Sequence, residues 1–224
     1  MLHVCRLRLT ARFPHILFES CAAGGDRFDL GMMYYMPQGW CSDNTDAGMR
    51  VKIQYGTSLV FPQSTVGAHV SHVPNGQTGR VSPLSTRVNT AMWGTFGYEM
   101  DLAEMDDAMF AQTQADIAYA KAHRDLLLYG RCIRLLSPFE GDTAAWMIIS
   151  DSQREAIVTT VRLSAHTNER RQRLLLRGLR ADALYQISEL DVSLTGQELM
   201  RFGLPLAFRP GDYQSLRFTL QVAE

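Results

Sequence analysis

The four cysteines of the 224 residues, Cys5, Cys21, Cys41 and Cys132, never form a C-x-x-C pair. That spacing excludes the usual zinc-site signatures and a small disulfide scaffold, and leaves reduced thiols as the expectation. Excess charge is missing too. Lys and Arg total 22 against 23 Asp and Glu, a formal net charge of −1, which supplies no electrostatic footprint for nucleic acid. The densest basic run, NERRQRLLLRGLR (168–180), reads as a polar turn entering a strand. No stretch approaches the roughly 18 consecutive apolar residues that a membrane span requires. The first residues, MLHVCRLRLTARF, are broken by Arg6, Arg8 and Arg12, so they carry neither the apolar core nor the cleavage site of a secretion signal. The expectation is a soluble, cytoplasmic protein with no membrane or nucleic-acid partner. Repeats and low-complexity tracts are also absent.

What is present is a globular composition, 46% hydrophobic and 20% charged, enough to bury a large core. Through about residue 100, short apolar runs alternate with glycine-rich turns and helix-compatible stretches. HILFES (15–20), MPQGWCSD (36–43), STVGAHVS (64–71) and MWGTFGYEM (92–100) are the strand candidates, HILFES reading as a buried parallel strand. DAGMRVKIQYGTSLV is expected to form a helix opened by Asp46 with Gly56 past its end. A proline-free segment rich in Ala, Met, Gln and Leu over 103–130 predicts one long helix ending at Gly130. Beyond it, CIRLLSPF, AAWMIIS, AIVTTVRLSA, QRLLLRGL, ALYQIS and SLRFTLQVA are six short β runs, which predict a small antiparallel sandwich. The fold class is therefore α/β followed by all-β, with domains at 1–128 and 129–224. Four parallel strands make only half of a (β/α)8 barrel, and half a barrel has two open edges.

Most of the chemistry-bearing residues have plain structural explanations. In WCSDNTDA (40–47), Asp46 can cap the following helix and Asp43-Asn44 can form a side-chain turn. Asp43 would nevertheless stand at the C-terminal end of a parallel strand, where barrel enzymes place catalytic groups. Trp40 offers an aromatic wall for a sugar face, or is simply core. ESCAAGGDRFDLG (19–31) ends a strand in small residues that let backbone approach a ligand, without the G-x-G-x-x-G spacing of a dinucleotide site. Cys21 lacks the surroundings of a nucleophile. His69 and His72 fall on opposite faces with no third ligand, and DNTDAG lacks the acid spacing of a calcium loop. No metal and no cofactor is expected.

Residues 13–102, with the motifs E-S-C (19–21), S-D-N-T-D (42–46) and K-I-Q-Y-G-T-S (52–58), followed by SPFEGDTAAWMIIS (137–150) and GLPLAFRPGDYQSLRFTL (203–220), resemble the family 36 α-galactosidases. The resemblance covers nearly the whole chain. It implies strands five to eight of a TIM barrel plus a C-terminal antiparallel β-sandwich. It also implies a retaining glycosidase releasing terminal α-linked galactose from melibiose- or raffinose-type oligosaccharides. By motif, Asp43 becomes the acid/base and Asp46 its orienting neighbour or the helix cap. Cys21, Ala23 and Gly24 match the loop near the sugar hydroxyls, and Trp40 sits beside the site. Ala23 and Asp26 stand where that family usually has glycine. An acid/base has to carry a proton when substrate arrives, which calls for partial burial and a negative neighbour.

The family's nucleophile lies in a Lys-Trp-Asp motif on the strand before HILFES, and that motif does not occur in these residues. The expectation is a fragment carrying the acid/base without the nucleophile, inactive alone, completed by a missing N-terminal half and homo-oligomeric at full length. The alternative is an inactive carbohydrate-binding or subunit-interaction remnant of the same fold.

Overall fold

The computed structural model describes residues 2–21, 28–168 and 172–223, with backbone only for 2–6. Its first part contains α1 (Leu2–Arg12), β1 (Glu19–Ser20), α2 (Leu30–Met33), β2 (Gln38–Gly39), α3 (Ala47–Thr57), β3 (Gly67–Ser71), α4 (Leu84–Ala91), β4 (Thr95–Glu99), α5 (Asp107–Ala122) and α6 (Arg124–Tyr129). β1 pairs in parallel with β2, and β3 with β4. A parallel bridge between Gly39 and Val66 connects the two pairs. The four strands thus follow one another side by side in chain order, all pointing the same way, with connecting helices packed on one side. Alternation along β3 sorts its residues. Ala68 and Val70 enter the helix-side core, while Gly67, His69 and Ser71 face the opposite side.

Three expectations change here. HILFES is not a buried strand: only Glu19 and Ser20 pair, and Ile16 and Leu17 are exposed, because among the described residues nothing covers that run. The helix opened by Asp46 runs to Thr57, so Gly56 lies within it and Ser58 closes it. The long helix over 103–130 is likewise divided. A 3-10 turn (Leu102–Glu104) precedes α5, and His123, at φ −107° and ψ 16°, breaks α5 from α6.

The second part contains β5 (Arg131–Leu136), β6 (Thr143–Ile149), β7 (Glu155–Arg162), β8 (Gln172–Leu174), β9 (Leu184–Ile187), β10 (Val192–Thr195), α7 (Gly196–Arg201), β11 (Leu204–Leu206) and β12 (Gln214–Val222). Six strands form one antiparallel sheet in the order β10-β9-β12-β7-β6-β5, and β8 pairs with β11 in a separate ribbon. The second layer of the expected sandwich is therefore only this ribbon, backed by α7. Sequence reading passes over β10, β11 and α7, although T-G-Q-E (195–198) is a readable helix start. Thr195 Oγ1 accepts from the Glu198 N–H, and the Glu198 carboxylate accepts the Thr195 N–H at 2.7 Å. Those bonds hold the Glu198 carboxyl below its ordinary range.

The central strands β6 and β7 are buried on both faces, and this unites the two parts. On one face Met147, Val158, Tyr185 and Leu220 pack against Leu174, Leu199 and Leu204. On the other, Trp146, Ile148 and Ile157 meet Val88, Met92, Trp93 and Leu126 of the α/β part. Trp93 and Trp146 stack across this seam with ring centroids 4.3 Å apart and planes at 16°, a contact adding about 1 kcal/mol beyond area burial. Central β7 is covered on both sides, so its Thr160 hydroxyl is buried and donates to the Ala144 carbonyl at 3.1 Å. Among the described residues no helix is long and apolar enough to cross a membrane.

His123 gives the fold a pH dependence. Burial against the Tyr119 ring, 4.3 Å away, lowers its imidazole below the ordinary value of 6.5. With a folded pKa below the unfolded one, the unfolded chain binds more protons between the two values, so stability falls as pH drops through that window. A His123→Gln variant is expected to show a smaller loss of urea midpoint between pH 7.5 and 5.5 than the parent, measured by tryptophan fluorescence. An identical slope in the two proteins would exclude His123 as a source.

Candidate active site

The loops leaving β1, β2 and β3 emerge at the same end of the parallel ladder, and the second of them carries S-D-N-T-D. Its conformation is fixed by its own side chains. Ser42 Oγ accepts from the Asn44 N–H at 3.2 Å, and Asn44 Oδ1 accepts from the Asp46 N–H at 3.0 Å. Asp46 Oδ1 accepts from the Met49 N–H at 2.9 Å, capping α3. Thr45 is held through its carbonyl, which accepts from Ser71 Oγ, and its hydroxyl, which accepts from Asn75 Nδ2.

Asp43 is the exception. Its side chain is exposed and engages no donor among the described residues, while its backbone carbonyl accepts from Gln77 Nε2 at 3.3 Å. Neighbouring side chains hold the backbone, and the Asp43 carboxylate is left presented beyond the strand end. The partial burial expected for Asp43 is not found, because among the described residues no wall stands over it.

Asp46 is the opposite case, 2% exposed. Besides the Met49 amide, its carboxylate accepts from Thr78 Oγ1 at 2.8 Å and pairs closely with Arg80 Nη1. Protein donors occupy both oxygens, so Asp46 organises the loop. The loop after β3 (72–83) provides those donors. Asn75 shapes that loop, its Oδ1 accepting from the Gln77 and Thr78 amides at 3.1 and 3.0 Å. Sequence reading misses Asn75, Thr78 and Arg80. The Asn75-Gly76 turn is legible, but nothing local tells that it folds onto residues more than 25 positions earlier.

Trp40 is half-buried. Its ring stacks on His69 at 4.7 Å and 25°, and the Arg50 guanidinium lies 4.7 Å above it. Gly67 makes room for it, since a methyl there would stand 2.9 Å from Trp40 Cε3. The Trp40 N–H donates to the Ser20 carbonyl at 2.8 Å, which sets exposed Cys21 on the adjoining strand end. Ala23, Gly24 and Asp26 lie outside the described residues. His69 Nδ1 stands 3.3 Å from Glu99 Oε2; no group of three metal-ligating side chains forms among the described residues.

Beneath the loop lies Arg50, 3% exposed. It donates to the carbonyls of Ser42 at 3.2 Å and Gly67 at 2.6 Å and to Gln54 Oε1 at 3.0 Å. Burial draws its guanidinium below the ordinary value, with the Cys41 sulfur working the other way. Gln54 in turn donates to the carbonyls of Thr90 and Trp93. A buried polar string thus runs from the acidic loop to the seam, where each bond satisfies a group that water cannot reach. Chemically, the arrangement offers one exposed carboxylate, Asp43, on a loop braced by its neighbours' side chains.

The Melibiase family profile matches residues 1–130, and that of the glycosyl hydrolase family 36 C-terminal domain matches residues 143–220. The α-galactosidase AgaA of Geobacillus stearothermophilus is 50% identical over 216 residues, 96% of this chain and 30% of AgaA. The bifunctional α-galactosidase/sucrose kinase AgaSK of Mediterraneibacter gnavus is 46% identical, over 94% of this chain and 23% of that protein. A crystal structure of an AgaA variant in complex with raffinose superposes with a TM-score of 0.96 at 47% identity, covering 99% of this chain and 31% of the other. A further AgaA variant is in complex with stachyose, again at a TM-score of 0.96. The chain thus spans less than a third of the length of the curated relatives it matches.

Proposed function

The chain belongs to the glycoside hydrolase family 36 α-galactosidases, and from that membership we propose that its 224 residues supply the acid/base side of a retaining α-galactosidase site. Asp43 is the acid/base. The observation carrying this assignment is that Asp43 alone in S-D-N-T-D keeps its side chain free while its neighbours lock the backbone. A retaining site needs two carboxyl groups about 5–5.5 Å apart. The second, the nucleophile, comes from residues outside these 224, which contain no Lys-Trp-Asp motif. The parallel ladder is then the second half of a barrel, and the missing half closes over Asp43 and gives it the burial it lacks here.

In the first step Asp43 donates its proton to the glycosidic oxygen as the nucleophile attacks the anomeric carbon, and the aglycone leaves as an alcohol. In the second, the Asp43 carboxylate takes a proton from water, which attacks the same carbon and releases galactose. The Trp40 ring, stacked on His69 with Arg50 over it, braces the strand end that leads into the acidic loop. Terminal α-galactosides of the raffinose type are the proposed substrates.

The test is a hybrid enzyme in which these residues replace their counterpart in AgaA. The isolated chain is expected to leave an aryl α-galactoside untouched, whereas the hybrid hydrolyses it. Turnover by the isolated chain that survives Asp43→Asn would overturn both the role and the mechanism.

A further inference from the structure

Tyr213, in the turn before β12, brings the antiparallel part against Arg80 and Gly48, which flank the acidic loop. Tyr213 has φ +53°, a left-handed conformation unusual for a tyrosine. Its carbonyl accepts from Thr86 Oγ1 of α4, which ties that turn to the α/β part. The ring it thereby aims has two contacts. Arg80 lies over it, with the guanidinium carbon 4.6 Å from the centroid. Gly48, in the first turn of α3, faces its edge so closely that a methyl there would stand 2.8 Å from Cε1.

Both contacts bear on Asp46. Arg80, sandwiched between the Tyr213 ring and the Asp46 carboxylate, is held by a cation–π contact on one side and an ion pair on the other. Asp46 then fixes α3 through Met49 and accepts from Thr78. Asp46 follows Asp43 by three residues, with the Asn44 side chain bonded to its amide. Any loosening of Asp46 therefore reaches the Asp43 backbone.

We propose that Tyr213 is a positioning residue for the acid/base, setting the Asp43 loop through Arg80 and Asp46 so that the C-terminal part is needed for proton donation as well as for stability. This rests on the reading of Asp43 as the acid/base. It assigns the ring face the active role, so Tyr213→Phe behaves as the parent and Tyr213→Leu does not.

Two measurements test it. In the 224-residue chain, hydrogen exchange at the Met49 amide is expected to be about tenfold faster in Tyr213→Leu than in the parent or Tyr213→Phe, with β6 and β7 amides unchanged. Equal Met49 protection in all three proteins would overturn the proposal. In the AgaA hybrid, Tyr213→Leu is expected to lower kcat on raffinose by up to about 100-fold, while kcat/KM for 2,4-dinitrophenyl α-galactoside, whose leaving group needs no proton, changes little. Equal losses on both substrates would reduce Tyr213 to a stabilising residue. Asp43→Ala in the same hybrid separates the two failures. If Asp43→Ala is selective for the poor leaving group and Tyr213→Leu is not, only the positioning role falls; if Asp43→Ala is not selective either, the acid/base reading falls first.

Discussion

Replacing Asp43 by alanine in the hybrid enzyme is expected to lower kcat/KM on raffinose by about 10³-fold, within the range typical of a lost general acid. The argument is one of leaving groups. An alkoxide is expelled only if protonated as the glycosidic bond breaks, whereas a dinitrophenolate leaves without help. The same variant should therefore form its glycosyl-enzyme from the dinitrophenyl substrate at close to the parent rate, then stall because no base activates water. A burst of dinitrophenol followed by a slow phase, in stopped-flow absorbance, is the expected trace. Uniform loss on both substrates, without a burst, would mean that Asp43 is not the acid/base. Ala replacement at this exposed position leaves the Ser42, Asn44 and Asp46 bonds in place, so the effect will be on chemistry more than on folding.

The second large effect concerns stability. Arg217 of β12 sits in the seam between the two parts, its guanidinium 3.7 Å from Asp116 of α5 and 3.9 Å above the Tyr119 ring. It also donates to Asn89 Oδ1 at 3.2 Å. Asp116 is 4% exposed, and burial raises its carboxyl above the ordinary range, with Gln112 and Arg217 opposing the rise. Removing Arg217 leaves the buried Asp116 carboxylate without its cation, held by Gln112 Nε2 at 3.1 Å, and Arg217→Ala is expected to cost about 3 kcal/mol at pH 7.5. The sign of the pH dependence follows. A carboxyl whose folded pKa exceeds its unfolded value holds its proton more tightly when folded, so stability falls as pH rises between the two. Without Arg217 the folded value climbs further, and the deficit should be smaller at pH 4.5 than at pH 7.5. Adding Asp116→Asn should recover part of the loss. Urea denaturation at both pH values measures this, and a deficit below about 0.5 kcal/mol at pH 7.5, the level of an ordinary surface change, would contradict it.

What the sequence disclosed tracks how local each signal is. Asp46 opens α3 because an aspartate before a helix-compatible run is bonded within four residues, and such signals are legible one residue at a time. The cap formed by Asp46 is such a signal, whereas the acid/base role of Asp43 rests on the motif and stands as a proposal. HILFES misled because an apolar run reads as buried whether or not anything covers it; here Leu17 is 88% exposed. The bracing of the site was out of reach for the opposite reason. Thr78, Arg80 and Tyr213 lie 32 residues or more from the positions they support, and only the folded chain brings them together. The Arg217 seam is hidden in the same way, with its partners Asn89 and Asp116 far away in sequence.

The most direct test of the central claim is the configuration of the product formed when azide is added to the Asp43→Ala hybrid acting on 2,4-dinitrophenyl α-galactoside. Azide needs no base. If Asp43 is the acid/base, the nucleophile is intact, a β-linked glycosyl-enzyme forms, and azide displaces it from the α face with release of the enzyme carboxylate. Nuclear magnetic resonance of the isolated product should then show α-galactosyl azide, with turnover restored as azide rises. β-Galactosyl azide would mean that azide has replaced a missing nucleophile by direct attack on the α-galactoside, making Asp43 that nucleophile and contradicting the account.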